Sequence, residues 1–157
     1  MQDLHVTAAT PADHAELFEL FADVVATGDG WPQAPPLDDA EFRRVWVDTP
    51  TAAVVARAGG RLVGAYYLKP NYVGRAAHIC NAGYVVAAGL RGHGIGTQLV
   101  EHSFDEARRL GFDAMIYNLV FASNPARRLY ERLGFRQVGV VPAAVDGEDA
   151  IVYWRAL

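Results

Sequence analysis

One stretch, Val85–Leu110, narrows the possible folds more than any other part of the chain. Apolar residues ending in Val85-Val86-Ala87 read as a buried strand, and Arg91-Gly92-His93-Gly94-Ile95-Gly96 as a glycine-rich turn. Beyond it, Ile95, Leu99, Val100, Phe104, Ala107 and Leu110 recur close to the 3.6-residue period of a helix buried along one face. A strand that feeds a helix through glycines leaves backbone N–H groups at the helix start without intrahelical partners. Those donors and the helix dipole suit an anion, most often a phosphate. Glycines also simply tighten strand-to-helix joints, so the stretch needs support from elsewhere.

Taken in order, the rest of the chain surrounds that stretch with strands and helices. Leu4–Ala8 reads as a short strand, and Thr10-Pro11-Ala12-Asp13 as a helix start with a capping threonine and proline at the first helical position. Leu17, Phe18, Leu20, Phe21, Val24 and Val25 mark the buried side of that helix, which should stop by Gly28. Three prolines exclude the segment Trp31–Pro36 from regular structure, so Trp31 either lines a substrate site or staples the loop. A second helix starts at Asp38 and turns Phe42, Val45 and Trp46 inward. Thr51–Ala58 and Arg61–Leu68 form a hairpin about Gly59-Gly60. The next strand, Ala76–Ala87, is expected to be the longest, with Gly83 marking a bulge or a close approach of ligand or backbone. After the long helix come a strand over Ala114–Phe121, a short helix over Ala126–Leu133, and strands over Phe135–Val141 and Ala150–Leu157. The acidic segment Pro142–Asp149 reads as a surface loop. The order β-α-α-β-β-β-α-β-α-β-β predicts an α/β fold with a mixed sheet and helices on both faces, its central crossover parallel and right-handed.

A chain of 157 residues is expected to make one domain, 1–157. Hydrophobic residues at 52% and charged residues at 20% argue against disorder, and a formal charge of −4 gives no reason to expect nucleic acid. No apolar run approaches the roughly 20 residues of a membrane span, and the first residues lack a secretory pattern. Cys80 is the only cysteine, which suits a reducing compartment. The expectation is a soluble cytoplasmic protein with no metal and no membrane partner.

Two familiar phosphate loops fail the test of spacing. A nucleoside-triphosphate loop requires a lysine after its last glycine, whereas Gly96 is followed by Thr97-Gln98. The dinucleotide pattern G-x-G-x-x-G does not fit Gly92-His93-Gly94-Ile95-Gly96 either. What stands here is R-G-H-G-I-G. A second stretch adds Asn124-Pro125-Ala126, Leu129-Tyr130 and Leu133-Gly134-Phe135 after the next strand. The two together closely resemble the GCN5-related N-acetyltransferase family. The first matches its [QR]-x-x-G-x-[GA] acetyl-CoA loop, and the second the A-x-x-[LF]-Y-x-x-x-G-F part of its later segment, with Asn124 just ahead of it.

That resemblance implies a GNAT-type fold whose mixed sheet holds a splayed pair of parallel strands, Ala76–Ala87 and Ala114–Phe121. It implies acetyl-CoA as cofactor, with its pyrophosphate on the backbone of Arg91, Gly92, His93, Gly94, Ile95, Gly96 and Thr97, and its pantetheine arm along Tyr84, Val85, Val86 and Ala87. Asn118, Asn124, Ala126, Arg127 and Tyr130 would complete the cofactor site. Tyr130 matches the tyrosine assigned as general acid beside the sulfur, though its spacing with Leu129 and Leu133 also suits plain packing. Asn124 equally precedes Pro125 as a helix cap would. An N–H near Val85 or Val86 would meet the oxyanion.

The proton acceptor is the gap in this scheme. The strand His78-Ile79-Cys80-Asn81-Ala82-Gly83-Tyr84-Val85 carries no carboxylate. His78 is an imidazole that could serve as a base but, three residues before Asn81, is expected to face the other side of a strand. The pairing of Cys80-Asn81-Ala82-Gly83-Tyr84 with Tyr117–Asn124 resembles the branch containing the yeast proline-analogue (azetidine-2-carboxylate) acetyltransferases. It implies that Asn81 orients the amine or polarises the thioester and that Asn118 binds acceptor or cofactor. Asparagine is no base, so the proton would leave through water. The expected reaction is N-acetylation of a primary or secondary amine of a small molecule or amino acid, within a pocket closed by Trp31, Tyr66 and Tyr67. A protein or peptide acceptor, or a non-catalytic acyl-CoA-binding domain, are the other readings. A homodimer through C-terminal edge strands is compatible with either.

Overall fold

A computed structural model describes residues 3–157. Among them, seven strands form one sheet: β1 (His5–Ala8), β2 (Ala52–Ala58), β3 (Arg61–Pro70), β4 (Ile79–Val86), β5 (Ala114–Phe121), β6 (Arg136–Val145) and β7 (Glu148–Ala156). Their order is β1-β2-β3-β4-β5-β7-β6. The sheet is mixed: β4 and β5 run parallel, while β1/β2, β2/β3, β5/β7 and β6/β7 are antiparallel. The helices are α1 (His14–Thr27), α2 (Asp39–Arg43), α3 (Ile95–Arg109) and α4 (Arg127–Arg132). Two compact units share the chain. One runs to Lys69 and resumes over Gly83–Ser103, and the other comprises Pro70–Ala82 and Phe104–Leu157.

In the first unit local chemistry sets the helix ends as expected. The Asp13 carboxylate accepts from the Thr10 N–H at 2.8 Å and from its hydroxyl at 3.1 Å, and Gly28 ends α1 at φ 75°. Asp38 Oδ1 accepts from the Glu41 N–H at 2.8 Å and caps α2, which widens into a π-helical turn over Arg44–Asp48. Leu17, Leu20, Phe21, Val24 and Val25 of α1, with Phe42, Val45 and Trp46, form a buried cluster with Val55, Leu62, Ala65, Tyr67 and Val85. Gly59 and Gly60 turn the hairpin with φ of 55° and 79°, the two positive values of a type I′ turn.

A bulge in β3 then decides which side chains meet which helix. Ala56 pairs with Gly64 but Arg57 with Leu62, leaving Val63 as the extra residue. Beyond it Ala65 and Tyr67 face the α1 cluster, whereas Gly64 and Tyr66 face α3. A Cβ on Gly64 would lie 2.9 Å from Leu99 and 3.0 Å from the Val85 carbonyl oxygen, so that helix sits close on the strand. Helices therefore cover both faces of the sheet in this unit.

In the second unit β5, β7 and β6 form an antiparallel group. Gly111, at φ 91°, ends α3 in a Schellman turn, with the Gly111 and Phe112 N–H groups donating to Arg108 and Ala107. Tyr117 and Phe135 stack at 4.3 Å between ring centroids, and the Arg155 guanidinium lies 4.1 Å from the centre of the Phe104 ring.

Three sequence expectations are corrected. The central strand begins at Ile79, because Gly74–Ala76 makes a 3-10 turn with Gly74 at φ 59°. At eight residues, β4 is shorter than the ten of β3. The segment Pro142–Asp149 is not a loop but the end of a hairpin. β6 runs on to Val145, and the chain reverses through Asp146 and Gly147 at φ 50° and 80°. Pro142 is tolerated because β6 is the edge strand and its ladder is irregular between Val141 and Val145.

Candidate active site

The glycine-rich turn belongs to the first unit. A 3-10 turn over Ala88–Leu90 precedes Arg91, and Gly92 and Gly94 follow at φ of 79° and 81°, a region that strains residues with a Cβ. Gly96 has no such requirement, and a Cβ built there would meet nothing within 4 Å. The Gln98 N–H donates to the Gly94 carbonyl at 3.1 Å. The N–H groups of Ile95, Gly96 and Thr97 precede that bond and have no acceptor one turn back. Ile95 anchors this end of α3, its side chain buried while its backbone stays at the turn. Arg91 forms an exposed ion pair with Asp29 at 3.3 Å, and His93 Nδ1 is 3.1 Å from the Arg91 carbonyl oxygen.

The strand leading into that turn presents its backbone alternately. The Ala87 N–H donates to the Val63 carbonyl at 2.9 Å, so Val85 and Ala87 direct their polar groups toward β3, and Tyr84 and Val86 the other way. On that other edge the Tyr84 carbonyl accepts from the Trp31 indole N–H at 3.2 Å. Ser103, fully buried, donates to the Val100 carbonyl at 2.6 Å, which leaves its oxygen to accept from the Tyr84 hydroxyl at 2.7 Å.

Trp31 and Tyr67 come together, with ring centroids 6.1 Å apart, and Trp46 and Phe21 complete the cluster. Tyr66 does not join them. It is fully buried on the opposite face, its hydroxyl 2.8 Å from His102 Nδ1. Gly83 marks a close approach of side chains rather than of backbone, since a Cβ there would fall 2.6 Å from both Trp31 and Tyr67.

The second unit holds the remaining candidates. Asn81, buried, donates from Nδ2 to the carbonyl of its register partner Ile116 at 3.0 Å. Asn118 is exposed, and its amide donates to Asn71 Oδ1. Asn124 forms an Asx turn ahead of α4, its Oδ1 accepting from the Ala126 N–H at 2.9 Å, while Ala126 itself is the N-cap residue. Arg127 is drawn into the fold by the Tyr153 hydroxyl at 3.0 Å and the Ala122 carbonyl at 2.9 Å, and Tyr153 in turn donates to Glu131 at 2.7 Å. Tyr130 stands among Tyr117, Phe135 and Tyr153 at centroid distances of 4.7, 5.9 and 6.2 Å. Burial pushes its phenol up to about 12. The same cause raises the Cys80 thiol to about 12. His78 stands outside the strand, 3.9 Å from Asp113, with Nδ1 3.0 Å from the Arg75 carbonyl oxygen.

Sequence reasoning did not find the Trp31–Tyr84 bond, the Ser103–Tyr84 pair or the Arg127–Tyr153–Glu131 chain. Only Ser103 carried a signal, as a hydroxyl inside the buried stripe between Val100 and Phe104.

The profile of the acetyltransferase (GNAT) family matches residues 14–135, and the chain belongs to that family. It falls therefore in the class of GNAT-type acetyltransferase domains. A GCN5-related N-acetyltransferase from Kribbella flavida is 33% identical, superposes with a TM-score of 0.90, and is covered over 98% of both chains. The N-acetyltransferase aca1 of Schizosaccharomyces pombe is 46% identical over 84 residues, 53% of this chain and 40% of that protein. Protein SPT10 of Saccharomyces cerevisiae is 40% identical over 83 residues, 52% of this chain and 13% of that one. The matched segments thus span less than half of either yeast relative.

Proposed function

We propose that this domain acetylates the nitrogen of a primary or secondary amine, in a small molecule or amino acid, by direct attack on acetyl-CoA. The observation that carries the reading is Gly96, a helix-start glycine with open space where a Cβ would project. That space and the N–H groups of Ile95, Gly96 and Thr97 fit a pyrophosphate. Acetyl-CoA supplies the acyl group as an activated thioester. Val86 directs its N–H away from β3 and is the better oxyanion donor than Val85, whose polar groups turn toward that strand. Tyr130 is assigned as general acid, because a phenol raised to about 12 keeps its proton through the neutral range. Asn81 is assigned to orient the acceptor amine, and the absence of a carboxylate from β4 leaves water as its proton acceptor. Asn81 with the segment from Tyr117 to Asn124 also supports kinship with the proline-analogue acetyltransferases.

The test is release of free thiol from acetyl-CoA across a panel of small amines, amino acids and peptides. Transfer to small amines is the expected result. Transfer to peptides alone would move the acceptor to proteins, and coenzyme binding without turnover on any acceptor would remove the enzymatic reading.

A further inference from the structure

One cation in the first unit has no role in the scheme above. Lys69 is the last residue of β3 turned toward the α1 cluster, two positions beyond Tyr67, and its ammonium lies 5.4 Å from the centre of the Tyr67 ring. It is partly buried, and among the described residues it makes no ion pair. Burial and the nearby Arg44 both lower its proton affinity, as expected of an ammonium short of a counter-charge. Arg44 does not share that shortage. Its guanidinium holds Glu41 in a two-pronged pair at 2.9 and 2.6 Å, so these three side chains together carry one net positive charge.

Two further polar groups of this unit, on Trp46 of that cluster and on Gln33, are incomplete. Trp46 is 2% exposed, and its indole N–H is buried without an acceptor. Gln33 donates to Glu41 at 3.3 Å, but its Oε1 is buried without a donor. Buried polar groups without partners are uncommon in folded proteins and ask for an explanation. A positive charge and an N–H that lack an acceptor, together with a carbonyl that lacks a donor, call for a ligand with both an anionic oxygen and an N–H. Phosphate would meet only the first demand, and a simple amine only the second.

We propose that Lys69, with Trp46 and Gln33, recognises the carboxylate and amino group of an α-amino acid, making a free amino acid the acceptor class. This rests on the transfer reading above for its meaning, but binding tests it separately. In a Trp154→Phe background, fluorescence reports only Trp31 and Trp46, both on the cluster. The titrants are the common α-amino acids, with matched analogues lacking the carboxylate: pyrrolidine for proline, and 2-phenylethylamine and phenylalaninamide for phenylalanine. The expected result is that at least one amino acid binds about ten- to a hundredfold tighter than its analogue without the carboxylate, the worth of a hydrogen bond to a charged group. Lys69→Met should erase that gap while leaving the analogue within about twofold, and Lys69→Arg should restore part of it. Equal binding of acid, amine and amide, no binding by any amino acid, or a gap that survives Lys69→Met would each overturn the proposal. So would preferential binding of a dipeptide, whose carboxylate lies farther from its amine. A gap in binding without thiol release would leave this inference standing and the transfer reading fallen. Thiol release without a gap would do the reverse.

Discussion

Gly96 and Tyr130 are the residues at which chemistry and stability separate most cleanly. Gly96 is neither at positive φ nor pressed by a neighbour, so the fold alone does not demand a glycine. Gly96→Ala should therefore raise stability, by up to about 1 kcal/mol from lower backbone entropy in the unfolded chain. The same methyl would enter the space assigned to the pyrophosphate and raise the KM for acetyl-CoA about tenfold. Thermal melts and initial rates on one preparation check both signs. For Tyr130 the separation lies between kcat and KM. Tyr130→Phe keeps the ring against Tyr117 and Phe135 and removes only the hydroxyl. It should lower kcat about a hundredfold while the KM for acetyl-CoA stays within about twofold. Since burial holds this phenol near 12, its ionisation should cause no fall in rate at or below pH 10.

Among the elements, the joint between β4 and α3 rests on one small network. The Tyr84 hydroxyl donates to Ser103, whose own proton goes to the Val100 carbonyl. Tyr84→Phe and Ser103→Ala should each cost about 1 kcal/mol in urea denaturation, and the double variant less than their sum, because both remove the same bond. The elements also show what sequence can and cannot convey. Val85–Leu110 was legible because strand, glycines and helical period agree over a continuous stretch. The start of β4 was not, since Gly74 and its 3-10 turn interrupt a run whose composition suits a strand. Nor was the division of Tyr66 and Tyr67 between opposite faces with different partners, because neither tyrosine carries a local mark of the face it takes. Adjacent residues on a strand part company by geometry, and the bulge at Val63 sets which goes where. The Trp31–Tyr84 bond joins residues 53 apart, and no local pattern announces it.

For the molecule as a whole, buried groups that keep their protons set an alkaline limit. Cys80 is raised from 9.0, and Tyr67 and Tyr130 from 10.0, each to about 12 by burial. A group held protonated by the fold contributes fully below its ordinary value. Above that value the unfolded chain ionises first, and the contribution is lost as pH rises toward the folded value. The urea midpoint should therefore decline from pH 9 toward 12, with Cys80→Ala delaying its onset to pH 10, where the tyrosines begin. The family fold was readable at this scale because two motifs and the element order agreed. The proposed acceptor groups were not, since Gln33, Trp46 and Lys69 are scattered over three segments with no shared period. Among those segments, the wide turn over Arg44–Asp48 has a consequence for descent. A π-helical turn is what one inserted residue leaves in an ordinary helix. A lineage without that residue would keep Phe42 in the core yet rotate Trp46 by about 100°. A single codon gained or lost could thus re-line the buried cluster around Trp46 and leave the Gly92–Gly96 turn untouched.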